Sequence, residues 1–365
     1  MMTSLKSKFF LCGIVLLLAK SSCTSPGTIS SNAASAGSDD TWSSYDLRFV
    51  NYNVENLFDT QNDSNTADED FLPYGVNRWT QDRYLVKLKN IFKVFANISA
   101  WEYPGIVALT EIENRKVLED LLSGTPLSEA DYNIIHEESP DPRGIDVAML
   151  YRPSFFRPLT HEYIRVKFPF DENGRTRDIL YVEGLVHRQD TLHIFACHFP
   201  SRRGGEATSE PRRLFVAGLV RHKVDSLLAV NPDKKIIITG DFNDEPSNAS
   251  MQDVIRGKSD YRQLQPGDLY NMMFPMHKAG YGSYKFQTSW NMLDQFIISP
   301  ALLDTSKNVY TRPEAAVIFK PEWLELTDDA NPGTKPFRTY SGPNYLGGYS
   351  DHFPTYLDLF FKKGN

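Results

Sequence analysis

The segment Ile236-Ile237-Ile238-Thr239-Gly240-Asp241-Phe242-Asn243 concentrates the chain's reactive chemistry. An apolar run of strand character ends in a glycine turn, with Asp241 and Asn243 two residues apart. Because a strand repeats every two residues, both side chains point the same way. A carboxylate placed like this can take a proton from water while the amide beside it holds a phosphoryl oxygen. An Asx turn closing a strand would use the same residues. A second segment, Gly348-Tyr349-Ser350-Asp351-His352-Phe353-Pro354, leads into another apolar run. Asp351 offers hard oxygen to Mg²⁺, and His352 can donate to a phosphate or protonate a leaving group.

Three further segments point in the same direction. Asn53 and Glu55 share one face at the end of the run Asn51-Tyr52-Asn53-Val54-Glu55. Val107-Ala108-Leu109-Thr110 ends in Glu111, a carboxylate that is unfavourable in apolar surroundings unless it is paired or metal-bound. Asp294 opens a strand that must bury Ile297 and Ile298, where it would accept from a histidine and fix its tautomer. Each feature alone could be surface decoration, but five of them at successive strand ends imply one site. Basic residues accompany them. Pro200-Ser201-Arg202-Arg203-Gly204-Gly205 is a flexible loop with two guanidiniums, Arg212 and Arg213 follow, Arg143 begins a strand, and Arg175 and Arg177 flank another. Guanidinium forks suit bidentate phosphate contacts, and Arg202, Arg203 and Arg177 are the candidates. Ser201 has no base near it in sequence, which argues against a covalent serine mechanism.

These residues need a scaffold of strands. Leu47–Val54, Ile106–Thr110, Ile145–Tyr151, Ile179–Val186, Leu192–Cys197, Ile236–Thr239, Leu293–Ser299 and Thr355–Phe361 all read as strands. A helix between the first two is predicted to bury Leu85, Leu88, Phe92 and Phe95. Another runs from Asn114 to Leu122 and is closed by Gly124. A third follows Pro211, with Leu214, Ala217, Val220, Val224, Leu227 and Leu228 inward. Eight strands with few crossover helices imply two packed sheets with helices outside. Residues 257–290 and 303–347, rich in Gly, Pro, Tyr and Asn, read as loops that shape the site.

A chain of 365 residues, 41% apolar, can bury a sizeable single core. Its net charge of −7 means that a polyanion must be drawn by a local basic rim or a bound cation. At the N-terminus, Lys6 and Lys8 precede an apolar run from Phe9 to Ala19, which is too short to span a bilayer and has the pattern of an export signal. Cleavage before Cys23 would leave a cysteine for lipid attachment and hence a membrane anchor. Residues 1–22 are therefore expected to be the signal and 23–45 a flexible tether, with 46–362 forming a monomeric catalytic domain. Cys197 is then the lone cysteine of that domain, where it reads as a small buried hydrophobe.

The ordered set Tyr52-Asn53-x-Glu55, Leu109-x-Glu111, Cys197-His198-x-Pro200, Gly240-Asp241-x-Asn243, Leu293-Asp294 and Ser350-Asp351-His352 resembles the endonuclease/exonuclease/phosphatase superfamily. The resemblance covers residues 46–362. It implies an α/β four-layer sandwich, two packed mixed sheets with helices on the outside and the site along one edge. It also implies that Glu111 is the principal Mg²⁺ ligand, Mn²⁺ being able to replace the ion, with Asp351 and Asn53 or Glu55 completing the metal site. Asp241 would activate water, Asn243 and His198 would contact the phosphate, and His352 paired with Asp294 would stabilise the transition state. The expected activity is hydrolysis of a nucleic-acid phosphodiester. Inositol phosphates or a phospholipid such as sphingomyelin are the alternative substrates.

Overall fold

The computed structural model describes residues 45–99, 102–187 and 190–363. The signal segment, Cys23 and all of the tether but Tyr45 lie outside the described residues. In chain order the first elements are β1 (Leu47–Leu57), α1 (Gln81–Ile98), β2 (Ile106–Ile112), α2 (Arg115–Ser123), β3 (Asn133–His136) and β4 (Asp146–Tyr151). Then follow β5 (Phe156–Ile164), β6 (Ile179–Val186), β7 (Asp190–His198), α3 (Glu206–Val230) and β8 (Lys235–Asp241). Short pieces come next: β9 (Gly257–Lys258), β10 (Leu269–Asn271), α4 (Phe274–Lys278), β11 (Tyr284–Phe286), β12 (Ser289–Asn291) and β13 (Asp294–Ile298). The remainder comprises β14 (Val309–Tyr310), β15 (Ala316–Ile318), β16 (Glu325–Thr327), β17 (Thr334–Pro336), β18 (Tyr340–Ser341), β19 (Asn344–Tyr345) and β20 (Thr355–Phe361).

Two mixed sheets of seven strands carry the fold. One runs β14-β20-β1-β2-β4-β3 with β15 also on β20, and the other runs β5-β6-β7-β8-β13-β10-β9. Strand alternation sorts the side chains of the second sheet. Leu180, Val182, Ile194, Ile237 and Phe296 enter the core between the sheets, together with Phe49, Ile106 and Ala108 of the first sheet. Their strand neighbours Tyr181, Phe195, Ile236, Ile238 and Ile297 pack instead with Val216, Val220 and Val224 of α3. Both faces are buried, which is why these strands read as continuous apolar runs. Phe49 and Phe296 meet edge to face at 5.5 Å across the two sheets, a contact worth about 0.5–1.5 kcal/mol beyond its buried area. With α1 and α2 packed on β1 and β2, the order is helices, sheet, sheet, helix. This is the expected four-layer sandwich.

Three expectations are refined. The buried face of α1 is Tyr84, Lys87, Leu88, Ile91, Val94, Phe95 and Ile98, while Leu85 is 52% exposed and Phe92 half-buried. Both stripes have helical periodicity and share Leu88 and Phe95, but a lysine within the true one disguises it in the sequence. α3 begins at Glu206, a turn and more before the predicted start, with Pro211 exposed inside it. Its first turns are held by Arg213, which donates from Nη1 to Ser209 Oγ (2.6 Å) and from Nη2 to the Glu206 carbonyl (3.1 Å). Those bonds offset the one that the proline forgoes. Finally, the two long loops contain paired short strands, β11 with β12, β16 with β17 and β18 with β19. α2 is as expected: Asn114 Oδ1 accepts the Val117 N–H at 3.0 Å, and the Gly124 N–H donates to Asp120 O.

Candidate active site

The parallel pairs β1–β2 and β7–β8 bring their C-terminal ends to one edge of the sandwich. Gly240 makes this possible in the second sheet. Its φ is +144°, and a Cβ there would lie 1.9 Å from the Cys197 carbonyl oxygen, so only glycine lets β8 run this close to β7. The register then sets Asp241 beside His198. In the first sheet, Glu111 sits at a bulge between Thr110 and Ile112 with φ +65°. Such a left-handed conformation costs a non-glycine residue about 1–2 kcal/mol. It takes Glu111 out of the strand's alternation, and the carboxylate lines a cavity of about 610 Å³.

Asp241, His352 and Asp294 form the centre of that edge. Asp294 is fully buried and accepts from His352 Nδ1 at 2.7 Å, from Ser283 Oγ at 2.6 Å and from Asn51 Nδ2 at 3.3 Å. Burial disfavours the imidazolium of His352, but the charges of Asp294 and Asp241 outweigh it and hold the ring protonated well above the ordinary histidine range. Its Nε2 lies 3.8 Å from Asp241 Oδ2. Asp241 is clamped by Asn53 Nδ2 (3.0 Å) from the facing sheet and by the Asn243 N–H (2.9 Å). Burial raises its pKa to about 6, partly offset by His352 and reinforced by Asp294. Asn53 is thus a support for Asp241, its Oδ1 being taken by the Glu55 N–H at 2.9 Å.

His198 is buried in a different electrostatic setting. Burial, then the nearby Arg177 and Arg143, push its pKa well below the ordinary value, so the ring is neutral. Nε2 stands 3.6 Å from Asp241 and 4.0 Å from Glu111, too far for hydrogen bonds and open to a ligand atom between them. Asn243 Nδ2 donates to Phe199 O at 3.1 Å while the side chain borders the cavity. Arg202 and Arg203 line the cavity with Arg143. Arg177 lies elsewhere. It is 4% exposed, ion-paired with Asp141 at 3.0 Å, and donates to Phe199 O. A loop is thereby held in place, and the guanidinium is not offered to a ligand. Cys197 is buried, and burial pushes its thiol up, so it stays unreactive.

Glu111 and Asp351 border the same cavity. Glu111 Oε2 accepts the Asn56 N–H at 2.8 Å, which pins one oxygen of the carboxylate. Two hard carboxylates at one cavity, with no thiolate among them, suit Mg²⁺ or Mn²⁺. Glu55 is placed otherwise. Its Oε2 accepts the Thr339 N–H at 2.6 Å, and Oε1 accepts from Arg338 at 3.0–3.1 Å. A separate trio, His136, Glu138 and Asp146, brings ligand atoms within 4.8 Å of one another but does not line the cavity. Sequence reasoning missed Arg338, buried Lys87, and the β11–β12 hairpin. That hairpin sets Tyr284 against His352 with ring centres 4.9 Å apart and leaves Phe286 59% exposed at the cavity. The only signal for Lys87 was a charge inside an apolar stripe, and nothing marked Arg338 or Phe286 among the loop residues.

Two mixed sheets with acids, amides and histidines gathered at one edge define a phosphoester hydrolase of the sandwich type. The chain belongs to the Endonuclease/Exonuclease/phosphatase family, whose model matches residues 49–361. Among curated proteins none matches. Solved structures do. Humanized D. rerio TDP2 aligns over 86% of this chain and 98% of its own at 14% identity, with a TM-score of 0.50. The human Nocturnin catalytic domain, solved with a sulfate anion, aligns over 87% and 94% at 15% identity, with a TM-score of 0.51. At such identities the likeness is one of fold.

Proposed function

We propose that this chain is an exported, divalent-metal-dependent phosphodiesterase that hydrolyses nucleic acid, Mg²⁺ being the working ion. The observation that carries the reading is the opposition of two histidines at one carboxylate. His352 is held protonated by Asp294, His198 is held neutral by burial, and both rings lie within 4 Å of Asp241. Asp241, with its raised pKa, is the base that takes the proton of the attacking water. His352 donates to a non-bridging oxygen as negative charge grows there, and His198 Nε2 and Asn243 add donors on the other side. A cation held by Glu111 and Asp351 would offset the phosphate charge that otherwise repels a nucleophile.

Nucleic acid is favoured by the residues that border the cavity. Arg143 and Arg203 border the cavity, where they can meet a phosphate backbone, with Arg202 held beside them by Asn243 O and Asn248, and exposed Phe286 borders it too, where a base can stack. Export and a lipid at Cys23 are supported by the N-terminal sequence alone. No helix among the described residues is long and apolar enough to cross a membrane. The test is a panel of single-stranded and duplex DNA, RNA, inositol polyphosphates, sphingomyelin and a chromogenic diester, with Mg²⁺ and purified protein. Nucleic acid should be cleaved fastest, and Glu111→Gln should lower the rate by orders of magnitude with little change in Tm. Full activity in excess chelator would end the metal-dependent reading. Preference for sphingomyelin or inositol phosphates would replace the substrate.

A further inference from the structure

We infer that Arg338 occupies the place of a cation between Glu55 and Asp351, so that Glu55 is withdrawn from metal binding and the pocket takes one divalent ion, at Glu111 and Asp351. The inference rests on the assignment of those two acids as ligands in the reading above.

Glu55 stands at the end of β1, where a strand-end carboxylate facing a metal would be expected. Its oxygens are instead fully engaged. Arg338 donates from Nε at 3.1 Å and from Nη2 at 3.0 Å to Oε1, and the next residue's N–H donates to Oε2 at 2.6 Å. The same Nη2 reaches Asp351 Oδ2 at 3.1 Å. One guanidinium therefore bridges the two acids as a divalent ion otherwise would, using the planar fork that matches carboxylate geometry. Glu55 is 4% exposed and does not border the cavity.

The bridge is anchored from behind. Lys87 of α1, 1% exposed, donates from Nζ to Thr339 Oγ1 and to the Tyr349 carbonyl, both at 2.6 Å. Asn90, a turn further along α1, donates to the carbonyls of Gly347 and Gly348 at 3.0 and 2.8 Å. The helix thus clips both ends of the segment that carries Arg338 and Asp351. Asp351 is left with Oδ2 committed to Arg338 and its other oxygen for the ion. Arg338 is a positioning residue: it orients one ligand and neutralises a second carboxylate that would otherwise recruit its own cation. Removing the guanidinium leaves two adjacent acids facing only the Lys87 ammonium, which is spent on Thr339 and Tyr349, and such a pair of carboxylates favours capture of a cation.

Chelator-stripped full-length protein is titrated with Mn²⁺, and free Mn²⁺ is read by electron paramagnetic resonance. The expected result is one ion per wild-type chain, one for Glu55→Gln with Kd within about twofold, and two for Arg338→Gln. The double variant Arg338→Gln/Glu55→Gln should return to one, and Arg338→Lys should stay at one. Circular dichroism confirms folding, and if Arg338→Gln does not fold, Glu55→Gln alone decides. Two ions on the wild type, loss of the ion in Glu55→Gln, or an unchanged single ion in folded Arg338→Gln would each overturn the inference while leaving the metal-dependent reading intact. No ion on the wild type would overturn both.

Discussion

His352 and His198 both lie within 4 Å of Asp241, and burial alone would push all three groups towards neutrality. What separates them is their partners. His352 touches a fully buried carboxylate and keeps its proton, whereas burial, reinforced by two nearby guanidiniums, takes it from His198. Asp294→Asn keeps the shape but removes the charge that supports the imidazolium. It should lower kcat by at least about a hundredfold with a modest change in KM, because the interaction is made mainly in the transition state. The alkaline limb of the pH profile should move down towards neutrality, since His352 loses the charge that raises its pKa. His352→Ala should cost about as much and the double variant little more, as expected for groups acting as a unit. Steady-state kinetics of the three variants would show multiplicative losses if the two residues acted separately.

Among the elements, the strand ends set the catalytic groups and the hairpins set the walls. β7 and β8 can lie in register up to Cys197 and Gly240 because residue 240 has no Cβ, and a single methyl there would collide with backbone. β11 and β12 form a short pair whose Tyr284 touches His352 and whose Phe286 stands free at the cavity. If Phe286 stacks on a base, Phe286→Ala should raise KM for single-stranded nucleic acid roughly tenfold, since one base–aromatic stack is worth about 1–3 kcal/mol. The rate on a small chromogenic diester should be unchanged. Equal losses on both substrates would mean that the ring only supports the hairpin.

For the whole molecule, a net charge of −7 with arginines at the cavity means that a polyanionic substrate would be drawn by the cavity rather than by long-range attraction. Anchoring would confine that cavity to the cell envelope. If Cys23 carries a lipid, Cys23→Ala should move the protein from the membrane fraction to the soluble one and abolish lipid labelling. Unchanged fractionation would leave simple secretion as the account.

The local code was sufficient for the strands, for the capped helix α2, and for the acids and histidines at strand ends, because period-two burial and turn chemistry act within a few residues. It also brought Asp241, Asn243, Asp351, His352, Glu111 and Asp294 into view as candidates. Only the tertiary structure decided their neighbours. Arg177 looked free beside a strand and proves to be buried against Asp141. Glu55 looked like a ligand and is held by an arginine 283 residues away. Lys87 interrupts an apolar stripe because its ammonium must reach Thr339 and Tyr349 across the fold. The protonation of the two histidines belongs to the same class. Charge and burial act through space, so the residues that the fold brings near, many of them far apart in sequence, set them, and the chain's local pattern does not encode that pairing.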